Sequence, residues 1–236
     1  MSPSQRAART TVALKYLMAV TGLIMVGYLL VHMYGNLKVF AGQAAFDGYA
    51  EHIREVGEPF LPREGALWVF RVVLLASVVG HTYAAVKLWA RNRTASARAG
   101  ANRYVSGRNR RGIQRSYASF TLRWGGVIIL LFVVYHILHL TVNVIAPGGA
   151  SDSPYARVVN GFQVWWVTAF YTISMLAVGL HLRHGVWSSL TTLGANFSGR
   201  TRWRLNILSY VVATVVTVGF LLPAYAIFLG LVGSNV

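Results

Sequence analysis

The sequence predicts an all-α fold, an integral membrane bundle of five transmembrane helices forming one domain over residues 1–236. Three observations predict it. Only 12% of the residues are charged and 55% are hydrophobic, whereas a soluble domain carries about 25% charged residues. Five stretches are apolar for long enough to cross a hydrocarbon core of about 30 Å at about 1.5 Å per residue. Most charges sit between these stretches or at their ends, Arg71 being the base placed well inside one.

The first span, Val12–Leu37, follows a short basic arm, Met1–Thr11, with no small-residue cleavage site, and reads as a retained helix rather than a signal peptide. The others run over Ala66–Ala90, Trp124–Ala146, Phe162–Leu182 and Leu205–Val232, the last interrupted by Pro223. Their continuous Leu, Val and Ile content favours helices over barrel strands. All seven Trp fall near predicted span ends, as an interfacial aromatic belt does. The connection from Lys38 to Gly65 contains Gly57, Pro59 and Pro62 and predicts a short helix and a turn over one face. The connection from Arg91 to Arg123 is basic and polar, a flexible arm or a docking surface for a cytoplasmic partner.

Charge orients the bundle. One side collects Arg6, Arg9 and Lys15, every base from Lys87 to Arg123, and Arg183, Arg200, Arg202 and Arg204, with no acid among them. The other side has Lys38, Arg54, Arg63 and Arg157 with all six acids. The positive-inside rule puts the N-terminus in the cytoplasm and the C-terminus outside. The net charge of +16 is then a topology signal and a contact for anionic lipid; no nucleic-acid motif accompanies it. The absence of cysteine excludes disulfides, thiolate-bound metal and c-type haem attachment, so metal chemistry falls to His, Met or carboxylates.

Six of seven histidines lie in or at the ends of spans: His32, His81, His136, His139, His181 and His184, with His52 in a loop. A lone intramembrane His is commonly an interhelical hydrogen-bonding group. At least one His in each of four consecutive spans points instead to a shared task. Spans one and three run outward, so His32 and His136 or His139 lie toward the outer face. Spans two and four run inward, so His81 and His181 or His184 lie toward the inner face. Each layer offers an opposed imidazole pair, the ligand set of a b-type haem. Gly22 precedes His32 by ten residues and Gly126 precedes His136 by ten, and glycine lets a flat macrocycle approach a helix backbone.

These residues resemble a known family. The chain is similar over nearly its whole length to the membrane-anchor cytochrome b subunit of succinate dehydrogenase and fumarate reductase, in its single-chain, five-helix, two-haem form. The likeness is carried by Thr21-Gly22 through His32-Met33-Tyr34-Gly35-Asn36, by Gly80-His81, by Arg123-Trp124-Gly125-Gly126 through Tyr135-His136, and by His181-Leu182-Arg183-His184-Gly185-Val186-Trp187. In that family a haem ligand stands four residues before a glycine of the fourth helix, a place that His181 matches and His184 does not. The resemblance implies His81 and His181 as axial ligands of an inner haem b, and His32 and His136 as ligands of an outer one. It implies a flavoprotein subunit carrying FAD and an iron–sulfur subunit on the cytoplasmic face of a prokaryotic plasma membrane. It implies a quinone acceptor, menaquinone being the expected one. Arg183 and Arg71 are candidates for haem propionates, and Glu64 for a proton relay at the quinone. Other readings are a haem b subunit of a formate dehydrogenase or hydrogenase, a transporter with a histidine proton relay, and a cofactor-free anchor. Span five, which lacks histidine, and the absence of midplane helix breaks in matching halves weigh against the transporter.

Overall fold

Lipid offers no hydrogen-bond partner to a peptide group, so an apolar run that crosses it closes its bonds internally as a helix. The computed structural model describes residues 10–98 and 112–233, and every regular element there is helical. In chain order they are α1 (Thr11–Leu37), a 3-10 turn (Lys38–Ala41), α2 (Gln43–Glu55) and α3 (Gly65–Arg98). Then come α4 (Gly112–His136) with a π-helical turn (Ile137–Thr141), α5 (Pro154–Gln163), α6 (Trp165–Thr192) and α7 (Gly199–Phe228). Five helices, α1, α3, α4 with its π turn, α6 and α7, are long and apolar enough to cross a membrane. The chain is all-α and multi-pass, as the sequence predicts. The basic arm before residue 10 and the middle of the Arg91–Arg123 connection lie outside the described residues.

Hydroxyl side chains start three of the helices. Thr10 accepts from Ala13 N at 3.0 Å, Ser153 from Ala156 N at 3.2 Å and Ser198 from Thr201 N at 3.1 Å. Each satisfies an otherwise orphaned amide, an effect of about 1 kcal/mol. The predicted boundaries shift for reasons that are local. The third span stops at Thr141, not Ala146: Asn143 takes a left-handed conformation, and Arg157 bonds the Thr141 and Leu140 carbonyls at 3.0 and 3.4 Å. The fourth starts at Trp165, because Val164 is extended and Phe162 belongs to α5. It continues to Thr192, past Leu182, because Arg183 finds partners on α7. The fifth begins at Gly199 behind the Ser198 cap and ends at Phe228, before Gly230 at positive φ.

The four helices that carry spans one to four outline a square. Its α1–α3, α1–α6 and α4–α6 edges are packed, and among the described residues the α3–α4 edge is the loose one. α7 lies against α1 and α6, outside the square. The core runs through α4–α7, with Phe132, Tyr171, Met175, Leu182, Val216 and Ile227 buried. α3 instead exposes Trp68, Phe70, Val72, Leu75 and Val79, a continuous apolar surface that lipid covers.

α2 and α5 cap the acidic end. Asp47 of α2 accepts from Ser153 Oγ at 2.6 Å and from Tyr155 N at 2.9 Å, so one carboxylate fixes the start of α5. Glu51 pairs with Arg54 and Arg63, and Glu64 with Arg54 and Arg71. All the ion pairs among the described residues are at this end, because the acids are.

A chain with no cysteine accepts a single reporter cleanly. Glu58→Cys and Arg200→Cys, both exposed, should react with a membrane-impermeant maleimide from opposite sides of the membrane, one before and the other only after the vesicle is opened. Labelling of both from one side would contradict the topology.

Candidate functional site

Antiparallel neighbours in the square bring histidines together across its diagonals. His32 of α1 faces His136 at the end of α4, ring centroids 5.8 Å apart and planes at 83°. His81 of α3 faces His181 of α6 at 6.2 Å and 63°. Neither diagonal, α1–α4 or α3–α6, is a packed helix pair. The rings meet across space that the backbones leave between them.

The first pair lies toward the acidic end and the second toward the basic end. Gly22 and Gly126 give the spacing. A Cβ at Gly22 would stand 3.4 Å from His81 Cε1, and one at Gly126 would stand 3.9 Å from His181 Cε1. Both glycines therefore face the basic-end pair. This corrects their grouping with His32 and His136: ten residues along a helix is a rise of about 15 Å, which carries the glycines into the other layer. The same rise separates the two layers.

At the basic-end pair His81 Nδ1 lies 3.1 Å from the Met18 carbonyl and 3.3 Å from Thr21 Oγ1, whose own proton goes to Leu17 O at 2.6 Å. A carbonyl only accepts, so His81 carries its proton on Nδ1 and presents a bare Nε2. His181 Nδ1 is buried with no hydrogen-bond partner in the protein. At the acidic-end pair His32 stacks on Tyr28, centroids 5.3 Å apart and planes at 11°, and touches Phe220. His136 lies against Phe132, with Nδ1 3.3 Å from the Tyr171 hydroxyl.

The neighbouring histidines are separated from these pairs. His139 is 2% exposed, with Nδ1 3.0 Å from the same Tyr171 hydroxyl. A Cβ on Gly161 of α5 would come within 2.6 Å of its Nε2, so a helix backbone closes that side of the ring. His136, not His139, faces His32. His184 turns to α7: Arg183 Nη1 lies 3.1 Å from its Nδ1, and both line an open groove of about 400 Å³ with Trp187, Arg202, Trp203 and Asn206. His52 is exposed on α2. Arg183 also donates to Tyr210 at 2.9 Å and Asn206 at 3.3 Å, its guanidinium 4.5 Å from the Tyr210 ring centroid. Arg71 lies over Trp68 and 3.7 Å from Glu64, so these two candidates are adjacent at the acidic end.

The donor set suits one kind of metal group. A metal held at about 2 Å by each of two imidazole nitrogens puts the ring centroids about 6 Å apart. Both pairs have that spacing. Among the described residues no group of three or more His, Cys, Asp or Glu gathers, whereas a protein-only metal cage needs about four ligands. Two-fold axial ligation of a macrocycle fits these residues, and Gly22 and Gly126 leave a bare backbone beside the basic-end rings. Sequence reasoning missed Tyr171 and Gly161; Tyr and Gly are common in spans, and nothing in their spacing marks them. No protein-family profile, curated protein or solved structure matches the chain.

Gly161→Val should overpack the His139 pocket and destabilise the protein by about 1–3 kcal/mol, lowering the detergent melting temperature. Gly27→Ala, with no neighbour within 4 Å, should not lower it.

Proposed function

We propose that this chain is the membrane-anchor dihaem cytochrome b subunit of a succinate:quinone oxidoreductase, a succinate dehydrogenase or fumarate reductase. What carries the reading is the pair of diagonal imidazole couples, His32 with His136 and His81 with His181, each spaced for an iron and set at two depths about 15 Å apart. In this reading the basic end faces the cytoplasm of a prokaryote and receives an iron–sulfur subunit with its FAD-bearing flavoprotein partner. That assignment rests on the positive-inside bias and on the family likeness of the histidine motifs.

Haem b, which His32 with His136 and His81 with His181 would hold, would supply one-electron transfer at two depths. The chain's own part is to hold, orient and insulate. His81 is held by Met18 O with its Nε2 turned free. Gly22 and Gly126 keep Cβ atoms away from the basic-end rings. Tyr28, Phe132 and Phe220 wall the acidic-end pair. Arg183, braced by Tyr210 and Asn206, is the candidate partner of a propionate near His181. Arg71 and Glu64 are paired at the acidic end; Arg71 is the candidate partner of a propionate of the outer haem and Glu64 the candidate residue at the quinone, menaquinone being the expected one.

The test is haem content per chain, by pyridine haemochromogen on the complex purified from native membranes. Two b haems per chain, co-purifying flavin and iron–sulfur protein, and reduction of the haems by succinate are expected. His81→Ala and His181→Ala should each halve the haem and leave the other haem's spectrum in place. Reduction by formate or hydrogen and not by succinate would assign the chain to a different dehydrogenase. A well-folded preparation with no haem would overturn the cytochrome assignment.

A further inference from the structure

Tyr171 stands between two histidines one helical turn apart. Its hydroxyl is 3.3 Å from His136 Nδ1 and 3.0 Å from His139 Nδ1. The residue is 5% exposed, walled by the rings of Phe132 and Phe162 at 5.1 and 4.9 Å. Among the described residues this hydroxyl has no other hydrogen bond. A phenol has one proton, and a neutral imidazole has one N–H. Two bare Nδ1 atoms would leave one lone pair facing the oxygen's own. Two Nδ1–H groups would leave the phenol proton buried with no acceptor, a loss of hydrogen bonding that burial makes costly. The stable arrangement is asymmetric: one imidazole donates to the phenol oxygen and the other accepts its proton. The two histidines are thereby forced into opposite tautomers.

Gly161 decides which is which. His139 Nε2 lies against the α5 backbone at Gly161, which leaves no room there for a metal, so His136 is the one of the two that can present a bare Nε2 to an iron. His136 looks across the diagonal to His32. Resting on the haem assignment above, we propose that Tyr171 is a positioning residue that selects the ligand of the acidic-end haem. It accepts His136 Nδ1–H, which leaves Nε2 bare for iron, and donates to His139 Nδ1, which holds His139 in the opposite, non-ligating tautomer. Asp47 belongs to the same device at one remove, since it anchors α5 and with it Gly161.

A hydrogen bond from the far nitrogen of a ligating imidazole raises its basicity toward the metal and favours the oxidised iron. Potentiometric titration of the complex in membranes should therefore find the acidic-end haem at a higher midpoint potential in Tyr171→Phe, with the basic-end haem unmoved. His139→Leu should keep both haems and shift the same midpoint upward by less, because the phenol loses only its acceptor. His139→Gln, which restores an acceptor, should return it toward the wild type. A structural defect alone would not be rescued in that order. Loss of one haem in His139→Leu with both kept in His136→Ala would reverse the selection. An unmoved midpoint in Tyr171→Phe would also overturn the proposal. Nitrogen-15 spectra of the histidine-labelled, reduced full-length chain, assigned through His136→Gln and His139→Gln, read the tautomers without needing haem. Opposite tautomers at His136 and His139 are expected, and matching ones would refute the lock. Absence of haem from the wild type would overturn the proposed function and leave the tautomer result to stand or fall alone.

Discussion

An imidazole nitrogen inside a lipid-facing helix bundle must find its partner within the protein or in a bound group, because hydrocarbon offers none, and His181 Nδ1 is left without one in the protein. Most features of this structure near its histidines follow from that demand. His81 meets it with the Met18 carbonyl of the neighbouring helix. His139 meets it at Nδ1 with the Tyr171 hydroxyl, while its Nε2 side packs against α5. His184 meets it with Arg183, at the edge where α6 and α7 are joined by Asn206 and Tyr210. Four rings turn one side to each other across diagonals that no backbone fills. The helix square, with its unpacked diagonals, is the shape that leaves this second demand to be met from within the bundle.

The two ends of the bundle hold these rings by different means. At the basic end there are no acids, and order comes from neutral partners and from arginine resting on aromatic rings and amides. At the acidic end charge is used directly. Asp47 starts α5, Arg157 gathers the carbonyls left free after the π turn, and Glu64 sits between Arg54 and Arg71. The π turn begins immediately after His136 and contains His139, so the ladder changes where two histidines must point different ways. Such turns recur at functional positions because they re-aim side chains without ending the helix.

Much of this was legible in the sequence, since a membrane leaves few choices. Five apolar runs became five spans because length and hydropathy alone are enough. The two layers, His32 with His136 or His139 and His81 with His181 or His184, followed from the alternation of helix direction, which turns sequence position into depth; the choice of His136 and His181 within them came from the family likeness. Where the sequence misled, a tertiary contact had outweighed a local signal. Arg183 and His184 look like the end of a span but lie inside α6, because α7 receives them. Val142 to Ala146 is apolar yet not helical, because Arg157 takes over the carbonyls. The glycines were grouped with the histidines of their own helices, when each faces the ring of a neighbouring one. α5 had a readable start in Ser153-Pro154, a capping residue followed by the imino acid suited to a first turn, but its apolar content merged with the next span. Tyr171 and Gly161 had no signal at all, since their roles exist only when α4, α5 and α6 are together.

The proposed function requires each of the two imidazole pairs to hold one haem iron. Low-temperature electron paramagnetic resonance of the oxidised complex, joined to near-infrared magnetic circular dichroism, reads axial ligands directly. Two low-spin ferric centres, both with bis-histidine signatures, one lost in His81→Ala and the other in His32→Ala, is the result predicted. A high-spin centre, a methionine-ligated one, or the loss of both signals from a single substitution in a folded protein would contradict it.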